Sequence, residues 1–383
     1  MRVDEISDSP ILSLIDQIFR MQEAGTPVLG LHIGEPDFDT PAGIRDAAYR
    51  AMNEGATHYV SARGLPELRH AIARRLEERH GIEASADDVV VLPAKFAIYA
   101  TLLATVAERD EVLLLDPTYL FQQPIELVGA RPVYAPLRPD FSLEADALRA
   151  AVSPRTRVLV LVTPANPTGR ILRAAEVRAA LEVARENDLT VVSDETYASL
   201  VYDGEHVSPA REARGEVPVV TIGSFSKIYA MTGWRAGFAL APPTIRDRLV
   251  KVVEHTLTCI PPFVQRACAW ALENADADEA RFRATFRARR DHLLRRLATV
   301  EGLTTVRPEG AFYVFPAYDL DVPSVAFASR LLAEEQLAVV PGVAFGPSGE
   351  HHVRISYTSP EPTLDEGIDR LERFLQRHRG HAR

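Results

Sequence analysis

Cysteine is scarce in this 383-residue chain, which has only Cys259 and Cys268. Nine positions apart, they match no metal-binding or redox spacing and give no reason to expect an oxidising compartment. Both read as small buried hydrophobes. Long apolar runs are missing too, and no segment reaches the roughly 18 continuous apolar residues of a membrane span. The N-terminus lacks the basic patch of a secretion signal and carries Asp4, Glu5 and Asp8 instead. These absences predict a cytoplasmic protein. Positive charge is in deficit, with 43 Lys and Arg against 53 Asp and Glu and a formal net charge of −10. That balance argues against nucleic acid as a partner, because a phosphate backbone needs a basic face. There is no zinc spacing, no Walker A sequence, no G-x-S-x-G elbow, no internal repeat and no low-complexity stretch.

Hydrophobic residues make up 46% and charged residues 25%, an ordinary globular composition. The length exceeds one ordinary core and predicts two domains. Residues 10–24 repeat apolar positions at helical spacing, and 28–33 read as a short strand. A turn-rich loop, 34–41, precedes helices over 42–54 and 65–80. From residue 88 an α/β rhythm sets in. Strands are expected at 88–92, 111–116, 132–135, 157–163, 190–194, 217–222 and 236–241. Helices are expected at 94–107, 118–129, 142–151 and 173–187, and from 243. Unbroken apolar strands alternating with helices predict an α/β fold with a mostly parallel seven-stranded sheet flanked by helices, covered on both faces. Such sheets bind ligands at the carboxyl ends of their strands. A long Arg-rich helix, 276–299, leads to a smaller α+β part with strands at 310–315, 338–340 and 352–357 and helices at 323–335 and 363–378. The expected division is 45–280 for the large domain and 1–44 plus 281–383 for the small one. The basic tail, 377–383, reads as a frayed end, and His351 and His352 as exposed turn residues.

The residues able to carry chemistry fall at strand ends. Lys227 directly follows Ser224-Phe225-Ser226, with Arg235 eight positions on. It is either a solvated loop lysine or an amine nucleophile; in the second case the hydroxyls and arginine can hold the phosphate of an aldehyde cofactor bound to Lys227 as a Schiff base. Asp194 ends a strand and can cap a helix or pair with a cationic ring nitrogen. Tyr197 is placed to reach the phenolic oxygen of the same ring. Asn166, in Thr163-Pro-Ala-Asn-Pro-Thr-Gly169, is a plain turn residue or an amide donor to that oxygen and to a substrate carboxylate. Pro93-Ala94-Lys95 joins a strand to a helix, and the Ala94 and Lys95 amides are available to phosphate although Pro93 has none to give. Tyr119 is a core aromatic or a ring-stacking one. Arg354 is an edge-strand surface residue or a carboxylate clamp.

As a set these residues resemble the fold-type I pyridoxal phosphate-dependent aminotransferases, in the class I/II group that includes aspartate and aromatic aminotransferases. The likeness runs through Gly34-Glu-Pro-Asp-Phe38, His58-Tyr59 with Gly64-Leu-Pro-Glu-Leu-Arg69, Asn166-Pro-Thr-Gly169, Asp194-Glu-x-Tyr197, Ser224-x-Ser-Lys227 with Gly233-Trp-Arg235, and Arg354-x-Ser356. It implies transfer of an amino group between an L-amino acid and a 2-oxo acid. Under it, Lys227 carries the pyridoxal 5'-phosphate and shuttles the proton. Asp194 pairs with the ring nitrogen. Tyr197 and Asn166 bond the ring oxygen and lower the pKa of the lysine–cofactor imine. Tyr119 stacks. Ser224, Ser226, Arg235 and the Ala94 and Lys95 amides hold the phosphate. Arg354 clamps the substrate carboxylate, with the Gly34 backbone nearby. Tyr59 reaches the phosphate of a neighbouring subunit, implying a homodimer with shared sites. Relatives usually have glycine or serine where this chain has Pro93, which predicts a stiffer entry turn. The rival reactions on this platform are β-elimination from a sulfur amino acid and oxidative chemistry. A half-reaction assay separates them, since transamination leaves pyridoxamine phosphate and elimination releases ammonia. A DNA-binding regulator built on the same scaffold is disfavoured by the acidic charge and by a likeness that starts close to Met1.

Overall fold

The computed structural model describes residue 4, residues 6–8 and residues 10–379. Its strands are β1 (Leu29–Gly30), β2 (Val89–Val91), β3 (Glu111–Asp116), β4 (Arg131–Pro136), β5 (Thr156–Val162), β6 (Thr190–Asp194), β7 (Val219–Ser224), β8 (Gly237–Leu240), β9 (Leu303–Thr304), β10 (Tyr313–Val314), β11 (Ala317–Tyr318), β12 (Leu337–Ala338), β13 (Val340–Pro341) and β14 (Val353–Ser356). The central seven-stranded sheet has the order β2-β8-β7-β6-β5-β3-β4. Its strands run parallel except β8, which is antiparallel to both neighbours.

The sheet forms because its sequences bury both faces. In β3 and β5, Val112, Leu114, Val158 and Val160 pack into one core. The alternate residues Leu113, Leu115, Leu159 and Leu161 pack into another on the opposite face. A period of two with apolar residues at every position requires cover on both sides. Helices Ala94–Thr105 and Pro243–Thr256 supply buried residues to the first core and Ala174–Glu186 to the second. After β3 the chain steps to β4 at the sheet edge, then to β5 on the other side of β3, so the order reverses between β3 and β5. The loops after these strands therefore diverge and leave a crevice.

The C-terminal strands form smaller sheets, with order β10-β14-β13 in one and β1 paired in parallel with β12 in another. An aromatic core containing Phe282, Phe286, Phe312, Phe327 and Phe374 joins the long helix Asp276–Leu297 to this part. In the β10/β14 ladder Tyr313 sits opposite Ser356, so Arg354, two residues along, shares its face.

Several local expectations need correction. The segment expected to be helical at 118–129 is helical only at Gln122–Leu127, because Asp116-Pro117 and the Thr118 amide, bound to the Phe345 carbonyl, first shape a loop. The strand expected at 310–315 is paired in β10 only at Tyr313–Val314. The helix Pro262–Asn274, opened by proline, and the short helix Pro209–Ala213 were not expected. His352 is half-buried and stacks on Phe315 with ring centroids 4.8 Å apart. Cys268 is buried, whereas Cys259 is partly exposed. The tail is not frayed at 377–379, where Arg377 pairs with Glu335 at 2.9 Å and His378 with Glu334 at 2.7 Å. Its last residues, like Glu5, lie outside the described residues.

Candidate active site

Strands β2, β3, β5, β6 and β7 point their carboxyl ends to one side of the sheet, and β8 starts there. A cavity of about 320 Å³ opens at that side. Its lining contains Gly34, Ala94, Lys95, Tyr119, Asn166, Asp194, Tyr197, Ser224, Ser226, Lys227, Arg235 and Arg354. Residues separated by up to 320 positions are thus brought together by one sheet edge and the C-terminal strands. Tyr59 is not in this lining and is 86% exposed.

Lys227 follows β7. Its Nζ donates to the Gly34 carbonyl at 2.7 Å. Burial lowers its ammonium to about 8, against the pull of nearby Glu35. At pH 7.5 roughly a quarter of such amines are unprotonated, against about one in a thousand for a solvated lysine. The turn that holds it is braced from several directions. The Ser226 amide donates to Ser224 Oγ at 3.1 Å, and Thr40 Oγ1 donates to the Ala230 carbonyl at 2.5 Å. Trp234 Nε1 donates to Thr40 Oγ1 at 3.0 Å. The loop carrying Gly34 is anchored by Arg289, which makes two hydrogen bonds of 2.8 Å to the Asp37 carboxylate.

An anion site adjoins the lysine. Helix Ala94–Thr105 starts at Pro93 without a side-chain cap, leaving its first amides free of intrahelical partners. Ser224, Ser226 and Arg235 line the same cavity. Gly237 allows β8 to pass this helix start, since a Cβ there would lie 2.9 Å from the Ala94 nitrogen.

Asp194 is buried, and burial raises its carboxyl pKa. Its Oδ1 accepts from the Thr196 amide at 3.1 Å, and no ion pair among the described residues includes it. The next residue, Glu195, turns away and ties down the strand end. It accepts from Ser193 Oγ at 2.9 Å and Ser208 Oγ at 2.8 Å, and His206 Nε2 lies at 2.7 Å. Burial alone would raise the Glu195 carboxyl, but His206 and these bonds hold it below its ordinary value.

Arg354 is 6% exposed, so it is no surface residue. Nη1 donates to Asn166 Oδ1 at 3.2 Å and Nη2 to the His32 carbonyl at 2.5 Å. Its guanidinium lies 4.5 Å from the ring centroid of Tyr313 and 5.1 Å from that of Phe345. Its Nε is buried with no hydrogen-bond partner, and no carboxylate pairs with it among the described residues. A buried cation with a spare donor is half of a carboxylate-binding pair. Tyr197 Oη sits 2.8 Å from Tyr313 Oη. The Tyr119 hydroxyl is pushed up to about 12 by burial, with Tyr313 and Asp194 adding to it, so it stays neutral.

The donor set fits pyridoxal phosphate. A buried carboxylate lacks a cation, a desolvated amine is within the same cavity, an uncapped helix start meets two hydroxyls and an arginine, and a buried guanidinium lacks an anion. Sequence reasoning missed Tyr313, Thr196 and His32, and the aliphatic lining from Ile11, Ile15 and Leu120. Tyr313 falls within the strand expected at 310–315. The available signal was its hydroxyl, which needs a partner in an otherwise apolar strand. Burial lowers the His32 imidazole to about 4, with Arg354 adding to the effect, so that ring is neutral.

Known proteins similar to this chain identify its family. The family model for aminotransferase class I and II matches residues 26–371. The aspartate aminotransferase of Pyrococcus abyssi is 38% identical over 98% of this chain and 97% of its own length. The aromatic-amino-acid aminotransferase 2 of Thermococcus litoralis is 36% identical over 95% and 96%. Among solved structures, the aspartate aminotransferase from Thermus thermophilus with maleate superposes with a TM-score of 0.92 at 34% identity, covering 97% of this chain and 100% of that one.

Proposed function

Because the chain belongs to the class I and II aminotransferases and is a pyridoxal phosphate-dependent enzyme of amino-group transfer, we propose that Lys227 is the residue that binds its cofactor covalently and moves the proton of the reaction. The observation carrying this is the desolvated Lys227 amine, held 2.7 Å from the Gly34 carbonyl in the cavity that also contains Asp194 and Arg354. Bound pyridoxal phosphate supplies an aldehyde carbon for amine exchange and a ring that accepts electrons from the substrate α-carbon.

The remaining roles fall to this chain's residues. Asp194 keeps the proton on the ring nitrogen, since a buried carboxylate gains most from a cation in contact. Tyr197 and Asn166 donate to the ring oxygen. Tyr119 lies against the ring. Ser224, Ser226, Arg235 and the amides of Ala94 and Lys95 hold the phosphate. Arg354 grips the substrate α-carboxylate, which orients the α-hydrogen towards Lys227 Nζ. That nitrogen is then the base that takes up the α-proton. The site so read lies between a large domain, 45–280, and a small one, 1–44 plus 281–383.

A homodimer with shared sites belongs to the same proposal. It is supported by Tyr59, which is 86% exposed and outside its own chain's cavity, where it can reach the phosphate of a second copy. Sedimentation should give twice the chain mass, and Tyr59→Phe should weaken cofactor retention. A cytoplasmic location is proposed on the composition; no helix among the described residues is long and apolar enough to cross a membrane.

The test is a half-reaction. Wild-type enzyme mixed with an amino donor should release one equivalent of 2-oxo acid and retain pyridoxamine phosphate. Lys227→Ala should do neither at a measurable rate. Normal turnover by Lys227→Ala would refute the assignment.

A further inference from the structure

Tyr197 and Tyr313 bring two buried hydroxyls to 2.8 Å, with only one of the two protons lying between them. Among the described residues the Tyr313 hydroxyl has no other hydrogen-bond partner. A buried phenol is rarely left unpaired. Once Tyr197 turns its own proton to an anionic oxygen, its lone pair is what remains for the Tyr313 proton. The pair then becomes a series, with Tyr313 donating to Tyr197 and Tyr197 donating onward. Hydroxyls in series polarise one another, so the terminal donor is stronger than either alone.

The surroundings favour this direction. Arg354 lies 4.5 Å from the Tyr313 ring centroid, on the same face of the β10/β14 ladder. A cation there makes the phenol a better donor. Burial raises the Tyr313 hydroxyl, and Arg354 opposes that rise. Gly34 keeps the space open, because a Cβ at that position would sit 1.9 Å from the Tyr313 oxygen.

We propose that Tyr313 is a positioning residue that acts through Tyr197, donating to the Tyr197 hydroxyl and so strengthening the hydrogen bond that Tyr197 makes to the cofactor's ring oxygen. The inference rests on the roles proposed above for Lys227 and Tyr197. Its consequence is read at Lys227 Nζ. Donors to the ring oxygen favour the form in which that oxygen carries more negative charge, which is the form with Nζ unprotonated. Loss of the Tyr313 hydroxyl should therefore raise the pKa of Nζ in the cofactor-loaded enzyme. A purely structural role for the Tyr313 ring would leave that pKa unmoved in Tyr313→Phe.

The experiment is a visible-absorbance pH titration of the holoenzyme, comparing wild type, Tyr313→Phe, Tyr197→Phe and the double variant. Tyr313→Phe should move the midpoint up by about half a unit to one unit, the size of one hydrogen bond felt through a neighbour. Tyr197→Phe should move it further, and the double variant should match Tyr197→Phe alone. No shift in Tyr313→Phe, or a double variant showing the sum of the single shifts, overturns the relay while leaving Lys227 in its role. A wild-type titration that persists unchanged in Lys227→Ala overturns the premise, and the relay with it.

Discussion

Replacing Lys227 by methionine in the cofactor-free protein should stabilise it near neutral pH and make it slightly less stable above pH 10.5. The side chain keeps its length and loses its charge. Burial lowers the lysine from the 10.5 of a solvated side chain to about 8. The sign follows from linkage. Below about pH 8 the amine is protonated in both the folded and unfolded chains, and the folded state bears the full penalty of a desolvated ammonium. Between 8 and 10.5 the unfolded chain binds more protons, so wild-type stability rises with pH relative to the variant. Above 10.5 both states are neutral and the penalty is gone. The interval corresponds to roughly 3 kcal/mol. Losing the 2.7 Å bond to the Gly34 carbonyl offsets about 1 kcal/mol of this at every pH and leaves the slope intact. Urea unfolding of both proteins at matched pH values from 7 to 10.5 measures the difference, with other titrations cancelling. A flat difference, or one favouring the variant more at high pH, would refute the account of Lys227 as a desolvated amine.

Arg354→Lys should lower kcat/KM by about 100-fold or more, mainly through KM, because a point charge cannot replace two parallel hydrogen bonds; steady-state kinetics with any accepted donor shows it. Asp194→Asn should lower kcat by about 10²–10⁴-fold, measured in single turnovers, under the proposal that its carboxylate keeps the proton on the ring nitrogen. Gly34→Ala should destabilise the protein by about 1–3 kcal/mol through its clash with the Tyr313 oxygen, and Tyr313→Phe should relieve part of that loss in thermal unfolding. Asp37→Ala leaves Arg289, which is 8% exposed, with the Thr358 carbonyl but no carboxylate, and should lower stability by about 1–3 kcal/mol in denaturant titration.

The central sheet was legible because its strands are short, unbroken apolar runs, as in 157–163, for which a doubly covered parallel sheet is the natural home. The candidate site was legible where chemistry sits at a strand end or in the loop that follows: Asp194 at the end of β6, Lys227 after β7, Asn166 after β5. What escaped notice depends on contacts that no local pattern encodes. Tyr313 looks like core in Gly310-Ala-Phe-Tyr-Val-Phe315, and its place beside Tyr197 follows from the packing of β10 near the mouth of the sheet. Arg354 alternates with apolar neighbours whether its strand is at an edge or in the middle; pairing to both β10 and β13 is what buries it. The short helix Gln122–Leu127 was overextended because apolar periodicity continues through a loop whose shape is set by Pro117 and by a backbone bond to Phe345. The helix Pro262–Asn274 went unread because no strand separates it from the helices on either side, Pro243–Thr256 and Asp276–Leu297.

The chain has three lysines, Lys95, Lys227 and Lys251, and two of them, Lys95 and Lys227, line the cavity. Borohydride reduction of the cofactor-loaded enzyme followed by peptide mapping therefore tests the central claim with few alternatives. One pyridoxyl group per chain is expected, on the peptide containing Lys227. A group on Lys95 or Lys251 instead, or none, would contradict it.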